Sequence, residues 1–311
     1  MSGKASQAEM ASFLLALNEK GPTVEEITGA AKIMRDFSVK VQSKHKILLD
    51  TCGTGGDQKS TFNISTVTAL VVAGAGVAVA KHGNRSVSSS CGSADVLEAL
   101  GVNLNLEEKY LKGSLNKIGI AFLFAQRLHP AMKNVAAVRK QLGVKTIFNI
   151  LGPLTNPASA THQIVGVYNR DLVEPITQVL KNLGLKKALV VCGSDGLDEI
   201  TTTAKTFVCE YTGKDIMSYD IEPQELGILK TSQLALRSDS LEQSVKIAND
   251  ILKGKKGAKR DIVLLNAAYA FYLVDKVNDI KEGLKLAAGS IDSGQAAKKL
   301  EALKEFTRSY A

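Results

Sequence analysis

Near the N-terminus Met10, Phe13, Leu14 and Leu17 recur at helical spacing. Gly21-Pro22 interrupts that pattern. Thr23 with Glu26 three residues later then reads as the capping box of a second helix. No strand-like alternation occurs in residues 6–44, so the chain opens with a small unit of two or three helices. From Lys46 onward short apolar runs alternate with helical patterns. The runs at 46–50, 77–81, 120–124, 163–168 and 187–192 read as strands. Residues 65–75, 93–100, 107–118, 131–142 and 171–183 read as helices. Such alternation predicts an α/β fold, a small helical domain plus a large domain with a mostly parallel central sheet flanked by helices. Strand-like pieces at 206–218 with no helix between them predict an antiparallel addition. Three helices are expected from about Asp261 to the C-terminus. The domain boundary is placed at residue 45, giving a helical domain over 1–45 and an α/β domain over 46–311.

Composition narrows the class. Apolar content of 45% and charged content of 23% are those of a globular protein. No run of 18 apolar residues exists, so no membrane helix is expected. The first residues lack the apolar stretch of a signal peptide, so a cytoplasmic location is expected. Cys52, Cys91, Cys192 and Cys209 form no C-x-x-C pair, and His45, His82, His129 and His162 have no metal-ligand spacing. The net charge of +8 fits an anionic substrate or a nucleic-acid surface. The densest basic run, Lys253 to Arg260, lies between two helical patterns and reads as a solvated loop; few aromatics accompany it, unlike a single-strand-binding surface.

The candidate chemistry lies at the ends of the strands, where ligands bind in open sheets of this kind. Asp50 to Thr66 runs strand, Gly-rich loop, helix, with Gly53, Gly55 and Gly56 among hydroxyl side chains. It suits either a turn that needs glycines or a loop that brings backbone N–H groups to a phosphate. It is neither a dinucleotide fingerprint nor a Walker A loop, since both would need glycine where Gln58 stands. The second strand ends in Lys81-His82-Gly83-Asn84-Arg85 and a Ser-rich stretch to Ser93, which is placed to cap the next helix. The fifth strand leads to Asp198-Glu199. Alone this pair is an acidic turn; opposite two phosphate-like loops it suits Mg²⁺, which shares its shell with substrate phosphates. Arg139, by itself an ordinary surface residue, offers a fork to a carboxylate. Residues Thr146 to Pro157, apolar and then tightly turned, read as a buried hinge or crossing.

These residues together resemble the anthranilate phosphoribosyltransferase family. The resemblance rests on Gly53 to Asp57, Asn63 to Thr66, Lys81 to Arg85, Gly92 to Gly101, Phe148 to Pro157 and Asp198-Glu199. It extends through Leu265-Asn266-Ala267-Ala268 and Ser293-Gly294, and covers essentially the whole chain. It implies a Mg²⁺-dependent pentosyltransferase of tryptophan biosynthesis that moves phosphoribosyl from phosphoribosyl pyrophosphate to the amine of anthranilate and releases diphosphate. By resemblance, phosphoribosyl pyrophosphate is met by Gly53, Gly56, Asp57, Thr61, Asn63, Ile64, Ser65 and Thr66, and by Lys81, His82, Gly83, Asn84, Arg85, Ser86, Val87, Ser88, Ser89 and Ser93. Anthranilate is met by Gly53, Asn84, His129, Arg139 and Gly152. Ser65, Asp198 and Glu199 hold Mg²⁺, with two ions per active site. Lys81, His82, Asp198 and Glu199 are the implied catalytic set, with His82 only a candidate proton acceptor. A helical segment near 129–145 is expected to join the N-terminal helices in space.

The resemblance further implies a homodimer, with no nucleic-acid or membrane partner. Three positions depart from the family pattern. Met132 stands where relatives can carry Tyr, Cys91 where they often have Ser, and the chain starts later than is usual, in a region that helps form the family's dimer. A pyrimidine nucleoside phosphorylase would share this fold, but its Lys/Ser/Arg nucleobase signature is absent. A non-enzymatic nucleic-acid-binding relative is expected to lose the Gly-rich loop and the acid pair, and both are intact.

Overall fold

The structure, a computed structural model, describes residues 1–85 and 91–310. The N-terminal helices α1 (Gln7–Lys20) and α2 (Val24–Asp36) form as the periodicity predicts, and residues 37–44 add no third helix. Thr23 and Glu26 complete the expected capping box: the Thr23 hydroxyl accepts the Glu26 N–H at 3.3 Å, and the Glu26 carboxylate accepts the Thr23 N–H at 2.9 Å. Such a cap stabilises a helix by about 1 kcal/mol.

The strands are β1 (Leu49–Asp50), β2 (Val79–Gly83), β3 (Ile120–Phe124), β4 (His162–Gly166), β5 (Lys187–Gly193), β6 (Thr206–Tyr211) and β7 (Ile216–Ile221). They form one sheet in the order β3-β2-β1-β4-β5-β6-β7. β3 through β5 pair in parallel, while β6 and β7 add antiparallel as the expected edge hairpin. The intervening helices are α3 (Ile64–Gly74), α4 (Ser93–Ala99), α5 (Glu108–Ile118), α6 (Ala125–Leu128), α7 (Lys133–Leu142), α8 (Phe148–Leu151), α9 (Val173–Asn182), α10 (Gln233–Leu236), α11 (Leu241–Leu252), α12 (Ala258–Leu273), α13 (Ile280–Asp292) and α14 (Gln295–Arg308).

Both faces of the sheet are covered, which is why β5 reads as an unbroken apolar run. Leu189 and Val191 enter the core built on α3 and α12. Ala188, Val190 and Cys192 enter a second core, built on α9 and reaching Leu14 and Leu17 of α1 and Ile27 and Met34 of α2. α3 is buried nearly throughout, packed by α12, α13 and α14. α1 packs on α7 and α2 on α9.

Two expectations change. β2 runs to Gly83 rather than ending at Lys81, because Asp50 Oδ1 accepts the His82 N–H at 3.1 Å and carbonyls take the Lys81 ammonium, so two polar residues stay inside a buried strand. The N-cap of α4 is Gly92, not Ser93; its N–H is held by the Asp95 carboxylate at 2.8 Å, and no side chain caps the first turn. The basic run 253–260 is partly neutralised by Asp250, which pairs with Lys255, and by Asp292, which pairs with Arg260.

Candidate active site

The carboxyl ends of β1, β4 and β5 are neighbours in the sheet, so the loops that leave them meet above it. The loop after β1 needs unusual backbone conformations. Gly55 and Gly56 adopt φ of 65° and 79°, and Gln58 and Ser60 also lie at positive φ. Non-glycine residues there carry strain that concentrates at ligand clamps. The Lys145 ammonium anchors the loop from outside, donating to the Gly56 carbonyl at 3.3 Å and sitting 3.3 Å from the centre of the Tyr168 ring.

The turn after β5 brings its acids onto this loop. Asp198 Oδ2 accepts the Gly55 N–H at 2.7 Å. Glu199 Oε1 accepts the Ser65 N–H at 3.1 Å, at the first turn of α3, where the helix dipole favours an anion. Gly166, at the end of β4, permits this approach: a Cβ there would lie 1.6 Å from the Asp198 carbonyl oxygen. Gly53 is similarly close, its Cβ position 3.0 Å from Asp198 Oδ2.

The electrostatics of this junction are unbalanced. Burial, then the neighbouring Asp57, push the Asp198 carboxyl up to about 7. Burial and Asp198 raise Glu199 well above the usual carboxylate range, against the pull of Lys81 and the Ser65 N–H. Three carboxyl groups thus converge; the Lys81 ammonium acts on Glu199, Lys145 reaches the Gly56 carbonyl and Lys59 lies beside Gly196. The clustered carboxylate oxygens fit a hard divalent cation such as Mg²⁺. A second cluster, Asp50, Cys52 and His82, brings potential ligand atoms within 4.8 Å of one another. Its atoms are committed elsewhere. Asp50 accepts from His82 N–H, Asn156 and Gln163, and burial raises the Cys52 thiol to about 12.

A second group lies around β2 and the crossing segment. His82 Nδ1 donates to the Gly152 carbonyl at 3.0 Å, and its Nε2 is 3.2 Å from His129 Nε2. A carbonyl only accepts, so Nδ1 carries the His82 proton and Nε2 accepts the His129 N–H. Burial drives both imidazoles toward the neutral form, His82 well below its ordinary value and His129 down to about 4. His129 Nδ1 is buried and unpartnered among the described residues. A Cβ on Gly152 would meet nothing within 4 Å, leaving open space beside it. Arg139 reaches this side from α7. Its guanidinium lies 5.4 Å from the centre of the Phe148 ring, partly desolvated, with no acidic partner among the described residues.

The remaining sequence candidates scatter. Arg85 pairs with Asp95 and Glu98 of α4 and packs on Phe124. Asn84 is exposed and its Oδ1 accepts the Arg85 N–H. Ser93 Oγ donates to the Asn84 carbonyl, and a side chain on Gly83 would strike it. Asn63 contacts Cys91, Ile64 is buried, and Thr61 bridges to Arg237. The Thr66 hydroxyl is buried and unpartnered among the described residues. Ser86, Val87, Ser88 and Ser89 lie outside the described residues. Sequence reasoning missed Gly166 and Lys145. A glycine at the end of a strand pattern was the available signal for the first; nothing local marks the second.

Residues 45–297 match the model of the glycosyl transferase family a/b domain, and residues 1–38 that of its helical bundle domain. The chain is 50% identical over 307 residues to an anthranilate phosphoribosyltransferase of Symbiobacterium thermophilum, spanning 99% of this chain and 90% of the relative. It is 52% identical to that of Clostridium kluyveri, over 97% and 90%. Among solved structures it is similar to the enzyme of Thermus thermophilus, with a TM-score of 0.94 and 42% identity over 99% of this chain and 92% of the other. It is also similar to the Saccharomyces cerevisiae enzyme in complex with PRPP and Mg, with a TM-score of 0.91 and 30% identity over 97% and 86%. A fold matched from end to end, with an acid turn set against a Gly-rich loop, agrees with these likenesses: the chain belongs to the anthranilate phosphoribosyltransferase family.

Proposed function

We propose that this chain transfers the phosphoribosyl group of phosphoribosyl pyrophosphate to the amine of anthranilate, releasing diphosphate. The observation that carries this reading is the convergence of Asp57, Asp198 and Glu199 on a loop of backbone N–H donors. It is a site that requires a cation and can offer donors to an anion.

When bound, Mg²⁺ supplies positive charge to the leaving diphosphate. Asp198 and Glu199 hold it, with Ser65 beside them at the start of α3. Three carboxyl groups exceed the one or two that a single Mg²⁺ usually takes, which supports two ions per site. The N–H groups of Gly55 and Ser65 hold the two carboxylates against the Gly-rich loop and the start of α3, where the cation would lie. Lys81 adds a fixed positive charge under the loop and offsets Asp50 and Glu199. By resemblance Thr61 and Asn63 of the Gly-rich loop, Thr66 of α3 and Ser93 of α4 meet the phosphoribosyl pyrophosphate. Arg85 acts indirectly, through its ion pairs with Asp95 and Glu98 of α4.

Arg139, unpaired and stacked on Phe148, receives the anthranilate carboxylate, and the open space at Gly152 takes the ring. His129 lies beside that space through its contact with His82, and by resemblance Asn84 meets anthranilate there too. The aromatic amine is neutral at neutral pH and attacks the ribose C1 without prior deprotonation. No base is required, and His82 has no free ring nitrogen to serve as one. Catalysis is therefore positioning plus stabilisation of the leaving charge.

Residues 1–45, with the segment near 129–145, form the helical domain and 46–311 the α/β domain, in the cytoplasm. A homodimer is supported by Phe13, Leu15, Ile33 and Phe37, large apolar side chains exposed on or beside α1 and α2, Phe13 to 65%. The deciding assay mixes the purified protein with anthranilate, phosphoribosyl pyrophosphate and Mg²⁺ and follows the loss of anthranilate fluorescence. Absence of Mg²⁺-dependent consumption sinks the reading.

A further inference from the structure

The turn that presents Asp198 and Glu199 has no regular structure of its own; residues 194–205 link β5 to β6 without helix or strand. Its shape is held from two sides. Within the turn, Asp195 Oδ1 accepts the Leu197 N–H at 3.2 Å, while Oδ2 accepts the Thr201 hydroxyl at 3.2 Å and the Thr203 hydroxyl. From below, Asn266 of α12 clamps the peptide groups of Ile200. Its Oδ1 accepts the Ile200 N–H at 3.1 Å, and its Nδ2 donates to the Ile200 carbonyl at 2.9 Å and to the Ile262 carbonyl at 2.8 Å. Both amide hydrogens and the amide oxygen are thereby used. Ile200 is fully buried and Asn266 only 2% exposed. Asn266 and Glu199 line the same cavity, which is of about 10 Å³.

We infer that Asn266 and Asp195 are positioning residues for the cation site. Together they fix the backbone on both sides of Asp198-Glu199, so that the two carboxylates stay on the Gly-rich loop despite their mutual repulsion. Neither residue touches the reacting atoms. The clamp needs an amide: only Asn or Gln carries a donor and an acceptor side by side to match a peptide N–H and C=O, and Gln is a methylene too long. Aspartate would turn the Nδ2 donor into an acceptor facing two carbonyls, and leucine would leave the Ile200 groups buried and unpaired. The Leu265-Asn266-Ala267-Ala268 motif, which lies outside the substrate loops, thereby acquires a task.

This role rests on the reading in which Asp198 and Glu199 hold Mg²⁺, and the experiment separates the two. Mn²⁺ binding to the full chain, without substrates, is measured by electron paramagnetic resonance. The proteins are wild type, Asn266→Leu, Asp195→Asn and the double variant Asp198→Ala/Glu199→Ala. Removal of orienting partners around a metal site weakens affinity roughly 10- to 100-fold, and that loss is expected for Asn266→Leu and, in the same direction, for Asp195→Asn. In turnover, the Mg²⁺ concentration for half-maximal rate rises while KM for anthranilate holds, a split that a merely structural role would not produce. A folded Asn266→Leu protein that binds Mn²⁺ like wild type overturns the inference. Should Asn266→Leu not fold, judged by circular dichroism, Asp195→Asn decides by the same criterion. Wild-type binding in the double variant removes the cation site itself, and this inference with it.

Discussion

Gly166→Ala tests how the site is assembled. The new methyl group would stand 1.6 Å from the Asp198 carbonyl oxygen and 2.3 Å from its carbon. Side-chain carbons essentially never approach below 3.0 Å, so one partner must retreat by about 1.4 Å or more. β4 cannot give way easily, because it lies between β1 and β5 and pairs with both. The irregular turn moves instead, carrying Asp198 off the Gly55 N–H and Glu199 off α3. Misplacement by about 1 Å costs on the order of 100-fold in rate, and overpacking of this kind costs roughly 1–3 kcal/mol in stability. The expected protein is therefore folded, somewhat weakened, and slower by about 100-fold or more in a Mg²⁺ titration of anthranilate fluorescence. Gly289→Ala is the control: its Cβ meets nothing on the exposed face of α13, so turnover should hold and stability rise by about 0.5–1 kcal/mol. Wild-type rate and Mg²⁺ dependence in Gly166→Ala would refute the claim that this contact sets the acid pair.

Other outcomes follow from the same geometry. Asp198→Ala/Glu199→Ala should abolish Mg²⁺-dependent turnover while urea unfolding stays cooperative; measurable Mg²⁺-dependent turnover would count against the pair as cation ligands. Arg139→Ala should raise KM for anthranilate with little change in KM for phosphoribosyl pyrophosphate, and Arg139→Lys should not restore it, since the fork and the stacking on Phe148 are lost; an unchanged anthranilate response removes Arg139 from the site. His162, away from the cleft, is depressed to about 4 by burial, then by Lys187. A depressed folded value means that its stabilising contribution is present above the unfolded value of about 6.5 and is lost as pH falls toward 4. Between pH 7 and pH 5, His162→Gln should therefore lose about 1–2 kcal/mol less stability than wild type in urea unfolding. Parallel pH profiles for the two proteins would contradict the buried neutral imidazole.

Much of this was written locally. The Thr23–Glu26 capping box, the apolar runs of β3 and β5 and the three C-terminal helices depend on neighbours a few residues apart, which a linear reading can see. The Gly-rich loop and the acid turn were visible as chemistry for the same reason. Polar residues inside buried strands were not. Lys81 and His82 look like a strand end until Asp50 and the Thr51 carbonyl, brought in by β1, and the carbonyl of His82 itself satisfy them. The cap of α4 also shifted, to Gly92, whose own N–H the Asp95 carboxylate accepts.

The sequence by itself therefore determined the α/β class, the small helical start, the strand-end loops and the residue types of the candidate site, since periodicity and motif are local properties. Only the tertiary structure decided how the parts meet: Asp198 and Glu199 on the N–H groups of Gly55 and Ser65, His129 on the lone pair of His82, and Asn266 under Ile200. Those pairings join residues dozens of positions apart. Their energies come from burial and complementary donors, which exist only once the sheet has ordered its strands.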